Sequence, residues 1–102
     1  MSNYTLKGKT PIPVDDILKW AKSFENQDRR VAKTMIGKVR VSTVFLGIDY
    51  SFGEGPPLLF ETMVFGGALD QEEDRYCTWE QAETGHKKMV EKVKLAEGED
   101  NE

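Results

Sequence analysis

Two apolar runs, Val39–Ile48 and Leu58–Phe65, dominate one stretch reading VRVSTVFLGIDYSFGEGPPLLFETMVFGG, which ends at Gly67. Both have strand length and are rich in Val, Thr, Ile, Phe and Leu, residues that pack well on a pleated surface. Glycines and prolines bound them, so neither run extends into a long helix. A chain carrying such a pair has to bury a sheet, and the rest of the sequence is read by what it adds to that sheet.

Upstream, Arg30–Ile36 alternates as a strand and is followed by Gly37-Lys38. Glycine at the first central position of a two-residue connection suits a type II′ hairpin turn. The pairing that follows sets Ile36 against Val39, Thr34 against Val41 and Ala32 against Thr43. One face then carries Ala32, Thr34, Ile36, Val39, Val41, Thr43 and Phe45. The opposite face carries Val31, Lys33, Met35, Arg40, Ser42, Val44, Leu46 and Ile48. Leu58–Phe65 returns as a third strand after the connector Asp49–Pro57, and Ala68–Arg75 reads as an acidic, solvated loop.

A helix is expected over Val14–Glu25, capped by Asp15 or Asp16, with Val14, Ile17, Leu18, Ala21 and Phe24 at helical spacing. Gly8, Pro11 and Pro13 break the chain before it, and Tyr4–Lys7 is a candidate fourth strand. A second helix starts at Thr78, where Thr78 and Gln81 form a capping box, and it fades near Gly98. Its apolar stripe is Trp79, Ala82, His86, Met89, Val90 and Val93. Gly85 inside it implies close approach to another backbone. The fold class is α+β: a three- to four-stranded antiparallel sheet flanked by an N-terminal and a C-terminal helix. Residues 1–96 form a single small domain, followed by an acidic disordered tail at 97–102. Two helices over one face leave the other apolar-bearing face for a homodimer or higher oligomer.

With 102 residues and a net charge of −4, the chain has one core and no basic block, which argues against nonspecific nucleic-acid binding. A single cysteine, Cys77, forms no internal disulfide, and no segment has the length of a membrane span. These features suit a soluble protein of a reducing cytoplasm. One histidine and one cysteine at unrelated spacing make no metal-ligand set, and no cofactor motif is present.

Nine residues stand out as ligand-binding candidates: Arg40, Ser42, Thr43, Tyr50, Phe52, Glu61, Arg75, Tyr76 and His86. His86 lies on the apolar face of its helix. It reads first as a core residue with satisfied ring nitrogens, and second as a ligand contact or general base. Glu61 interrupts an apolar strand, so a basic partner (Arg40 or Arg30), an edge position or a ligand has to account for it. Ser42 and Thr43 offer hydroxyls on opposite faces, with no base beside them to make a nucleophile. Tyr50 and Phe52 flank glycines and suit stacking on a nucleobase or anchoring of a protein, or a small loop cluster. Arg75-Tyr76 precedes a helix N-terminus, where an anion is favoured, although Arg75 also neutralises Glu72–Asp74. No catalytic residue is assigned: neither His86 nor Glu61 has a second acid-base group at a meaningful spacing.

The blocks STVFLG (Ser42–Gly47), PPLLFETMVFGG (Pro56–Gly67), Arg75-Tyr76 and Gly85-His86, within VSTVFLGIDYSFGEGPPLLFETMVFGG and RYCTWEQAETGHKKMV, resemble a family of small uncharacterised proteins encoded in bacteriophage and prophage DNA. The resemblance covers roughly Trp20 to Val90. Many relatives have a histidine at the position of Tyr50, so this chain departs from the pattern there. The resemblance implies a phage-related origin and action in the cytoplasm of a bacterial host cell. The expected function is a non-enzymatic accessory protein that binds a host component, in its most concrete form a counter-defence protein sequestering a nucleotide signal between subunits. The alternatives are a protein-binding inhibitor or adaptor using Asp70–Asp74 and the acidic tail, or a structural or regulatory subunit of phage machinery.

Overall fold

The computed structural model describes residues 2–51 and 55–98. Its elements run β1 (Asn3–Lys7), β2 (Thr10–Val14), α1 (Ile17–Asn26), β3 (Arg30–Ile36), β4 (Val39–Phe45), β5 (Phe60–Phe65), β6 (Glu73–Tyr76) and α2 (Trp79–Ala96). The fold is α+β. A four-stranded antiparallel sheet has the order β3-β4-β5-β6, and β1 and β2 form a separate two-stranded sheet. Among the described residues no helix is long and apolar enough to cross a membrane.

The β3–β4 hairpin has the register expected from its turn. Ile36 faces Val39, Thr34 faces Val41 and Ala32 faces Thr43. Gly37 adopts a φ of 59°, the left-handed value that the first central position of a II′ turn needs. The register shifts between Arg30 and Ala32, where a bulge inserts one extra residue. That bulge corrects one assignment: Val31 packs against the cluster of Phe45 and Phe60, on the helix-covered face, and Arg30 pairs with Val44 on the open one.

The fourth strand is β6, not Tyr4–Lys7. Glu73–Tyr76 pairs with β5, so the second half of the expected acidic loop is an edge strand. Charged residues protect an exposed edge from further pairing, which is why a strand can look like a loop in sequence. Tyr4–Lys7 instead pairs with Thr10–Val14, a segment that its two prolines had seemed to exclude. Pro11 and Pro13 are two residues apart, so both missing N–H groups fall on the same, unpaired edge of β2 and the ladder survives.

Among the described residues, the helix that covers the main sheet is α2, with Leu6 of β1 at the edge of its core. Its capping box is complete, with Thr78 accepting from the Gln81 N–H and Gln81 reaching back to the cap backbone. Its stripe buries Ala82, His86, Met89, Val90 and Val93. α1 starts at Ile17, capped by Asp16, and has no buried residue. It packs on the β1–β2 hairpin through the indole of Trp20, whose Nε1 donates to the carbonyls of Tyr4 (3.1 Å) and Gly47 (3.0 Å). Gln27 bridges to Leu6 through both backbone groups. The molecule is therefore elongated, 51 × 30 × 20 Å. At the end of α2 the Glu97 N–H donates to the Val93 carbonyl, and the Glu97 carboxylate accepts from the Ala68 N–H at 2.8 Å.

The apolar core under α2 has two parts. Ile36, Val39, Val41, Val64, Met89, Val90 and Val93 form one. Leu6, Phe45, Leu59, Phe60 and Ala82 form the other, with Trp79 and Tyr76 against it. The opposite face of the sheet has no covering layer among the described residues, and Met35 on it is 53% exposed.

Candidate functional site

Strand alternation divides the nine candidates between the two faces of the sheet. Thr43, Tyr76 and His86 lie under or beside α2, while Arg40, Ser42, Glu61 and Arg75 lie on the open face with Tyr50 at its end. Phe52 lies outside the described residues.

On the covered face, five side chains form a continuous polar chain between the two apolar clusters. The Tyr76 hydroxyl donates to Thr62 Oγ1 at 3.2 Å, and Thr62 and Thr43 share a hydrogen bond of 2.5 Å. Thr43 meets His86 Nδ1 at 2.7 Å, and His86 Nε2 meets Thr34 at 2.8 Å. One proton order leaves neither the Thr43 nor the Thr62 hydrogen without an acceptor. Tyr76 donates to Thr62, Thr62 to Thr43 and Thr43 to Nδ1, so the neutral ring carries its proton on Nε2 and donates it to Thr34. Thr43 and Thr62 are 0% exposed and His86 5%. Burial lowers the His86 pKa and raises that of Tyr76. With both nitrogens engaged and the ring shielded, His86 has no free position from which to take a substrate proton. Its reading as a satisfied core histidine is the one this geometry fits.

Thr34 and Thr62 were not singled out in the sequence, yet they complete this chain. The hairpin register already put Thr34 and Thr43 on one face of the sheet, and that was the signal available. The Tyr76 end of the chain reaches a groove of about 520 Å³ between β6 and α2, lined by Asp74, Tyr76, Gly85, Lys88 and Met89 among others.

On the open face, Glu61 finds its partner in Arg75, directly across the β5–β6 pair, and not in Arg40 or Arg30. Arg75 Nε donates to Glu61 Oε2 at 3.0 Å, and its guanidinium lies 4.7 Å from the centre of the Tyr50 ring. A terminal nitrogen is 3.8 Å from Glu73. Desolvation raises the Glu61 pKa, the hydrogen bond from Arg75 opposes it, and Glu73 adds to it. Arg40 stacks in the same way over Phe65, 4.3 Å from the ring centre. Ser42 lies between Lys33 and Met63 in the middle of the face.

The loop that presents Tyr50 is held by Asp49. Its Oδ1 accepts from the N–H groups of Ser51 (2.8 Å) and Leu58 (3.0 Å), which tie the two ends of the connector together. The Ser51 N–H, foremost, lowers the Asp49 pKa. Cation–π stacking of this type is worth about 0.5–1 kcal/mol at an exposed site, and it holds a guanidinium over the ring. The open face thus presents cationic donors beside aromatic plates. Comparison with protein-family models, with curated proteins and with solved structures finds no match to this chain.

Proposed function

We propose that the protein is a non-enzymatic, phage-related accessory protein that binds a nucleotide of its host, with the Tyr50–Arg75–Glu61 end of the open sheet face as its site. The carrying observation is the Arg75 guanidinium, hydrogen-bonded to Glu61 through Nε and stacked on the Tyr50 ring, a fixed cation whose terminal N–H groups can donate to a phosphate. An aromatic plate and a fixed cation side by side match the two halves of a nucleotide, base and phosphate. The resemblance of the sequence to small phage-encoded proteins supports a role in sequestering a host nucleotide signal.

The alternative through an acidic surface has less support. Asp70 accepts from the Gly66 N–H, Glu72 pairs with Lys92, Glu73 lies near Arg75, and Asp74 accepts from the Arg75 N–H. Those carboxylates organise their own loop and edge strand.

Isothermal titration against cyclic oligonucleotides and ADP-ribose-derived nucleotides tests the reading. Binding at micromolar Kd or tighter is expected for at least one, weakened roughly 10- to 100-fold by Arg75→Ala, the loss of a charged hydrogen-bonding group worth about 1.5–3 kcal/mol. No heat from any of them ends the proposal.

A further inference from the structure

We infer that the open sheet face is a platform for a short single strand of nucleic acid, laid from the Arg75–Tyr50 stack across to the Arg40–Phe65 stack. The inference rests on the nucleotide reading above and extends it from one nucleotide to a run of them.

Strand alternation and register bring Arg30, Lys33, Arg40 and Arg75 to this one face, against the carboxylates of Glu61 and Glu73. Among the described strand residues of this face cations therefore outnumber anions, in a chain whose overall charge is −4. They come from β3, β4 and β6, so no basic run in the sequence announces them. The whole-chain charge argues against nonspecific nucleic-acid binding, but the field a ligand meets is that of the face it approaches.

The aromatic components are also in place. Phe65 and Tyr50 each carry a stacked guanidinium. Bases of single strands stack on aromatic rings and on guanidinium planes, while the backbone follows a positive surface. Arg40 pairs with Phe65 and Arg75 with Glu61, four residues along β5 and two strands apart. Strand spacings make that about 16 Å, longer than one nucleotide. Ser42, Val44 and Met63, all half-buried, form the floor between the stacks. A second copy of the chain is the less suitable occupant, because each face would bring its positive excess against the other's.

Fluorescence anisotropy of the full chain with labelled oligo(dT) and oligo(U) of roughly twelve nucleotides, over a salt series, tests this directly. Three to four neutralised phosphates predict a slope of log K on log[salt] of about −2 to −3. Lys33→Ala, an exposed position, is expected to weaken binding and reduce the slope by about 0.7, and Arg40→Ala to weaken it further. Lys87→Ala, on the solvent side of α2, leaves binding unchanged. If single nucleotides bind and oligonucleotides bind no tighter, the platform is refuted while the nucleotide reading stands. If neither binds, both fail. If Lys33→Ala leaves oligonucleotide binding and its slope untouched, the strand lies elsewhere and the inference is wrong. Light scattering that shows a dimer broken by Lys33→Ala, with no oligonucleotide bound, assigns the face to a second copy and overturns it too.

Discussion

The ring of Tyr76 lies directly on Gly85, in the space that a β-carbon at Gly85 would fill. The glycine thus serves a side chain from the edge strand, where the sequence had suggested approach of another backbone. It lets β6 close against α2 and brings the Tyr76 hydroxyl to Thr62.

Gly85→Ala sets two effects against each other. Alanine gains about 1 kcal/mol of helix propensity, and overlap with the ring costs about 1–3 kcal/mol. A net loss of stability is expected in urea unfolding. In a Tyr76→Ala background the same change becomes neutral or stabilising, because the overlapping ring is gone. A double-mutant cycle that showed simple additivity would refute the contact.

His86 titrates against folding. Burial lowers its pKa, so the unfolded chain binds more protons and stability falls as pH drops from the unfolded value of about 6.5 through the lowered folded one. As His86 is the only histidine, the difference between the unfolding curves of wild type and His86→Gln over pH 7.5 to 5.5 isolates it from carboxylates such as Glu61. His86→Gln is expected to lose about 1–3 kcal/mol at pH 7.5 and to flatten the dependence in that window. An equally steep fall in the variant places the titration elsewhere.

Glu61 has the opposite sign. Its folded pKa is raised, so its contribution is present below the unfolded value of about 4.3 and lost as pH rises through the raised folded one. Glu61→Gln should therefore gain on the wild type between pH 4 and pH 7, by less than about 1 kcal/mol since solvent reaches the pair. Paired urea melts at the two pH values measure it. A difference that shrinks or reverses with rising pH contradicts the assignment.

Asp49→Ala removes the acceptor for two backbone donors, the N–H groups of Ser51 and Leu58. Amide exchange at both positions should accelerate, while Val41 and Val64, fully buried in the sheet, keep their protection. Unchanged exchange at Ser51 and Leu58 would show that the loop is held by something else.

The hairpin from Arg30 to Phe45, both caps and the α2 stripe were legible in the sequence, because each rests on local chemistry: a glycine turn, a capping box, a helical period. What was missed depends on partners far along the chain. Glu73–Tyr76 becomes a strand only because β5 offers it an edge, and three of its four residues are charged. Val31 changes face through a bulge that alternation cannot show. Arg75 as the partner of Glu61 required the β5–β6 register, which no turn residue announces. Thr62 is one of many strand threonines until His86 is placed above it.

The N-terminal sheet and α1, joined to each other through Trp20 and Gln27, are tied to the main sheet by a later part of the chain. The Tyr4 N–H and the Trp20 indole end on the Gly47 carbonyl, Ser2 accepts from Asp49, and the Arg29 carbonyl accepts from Phe45. Leu6 packs with Phe45, Leu59, Phe60 and Ala82. Chains are made from the N-terminal side, so β1, β2 and α1 gain these ties only after residues 47–60 have followed them. The anchor is made after the part that it holds.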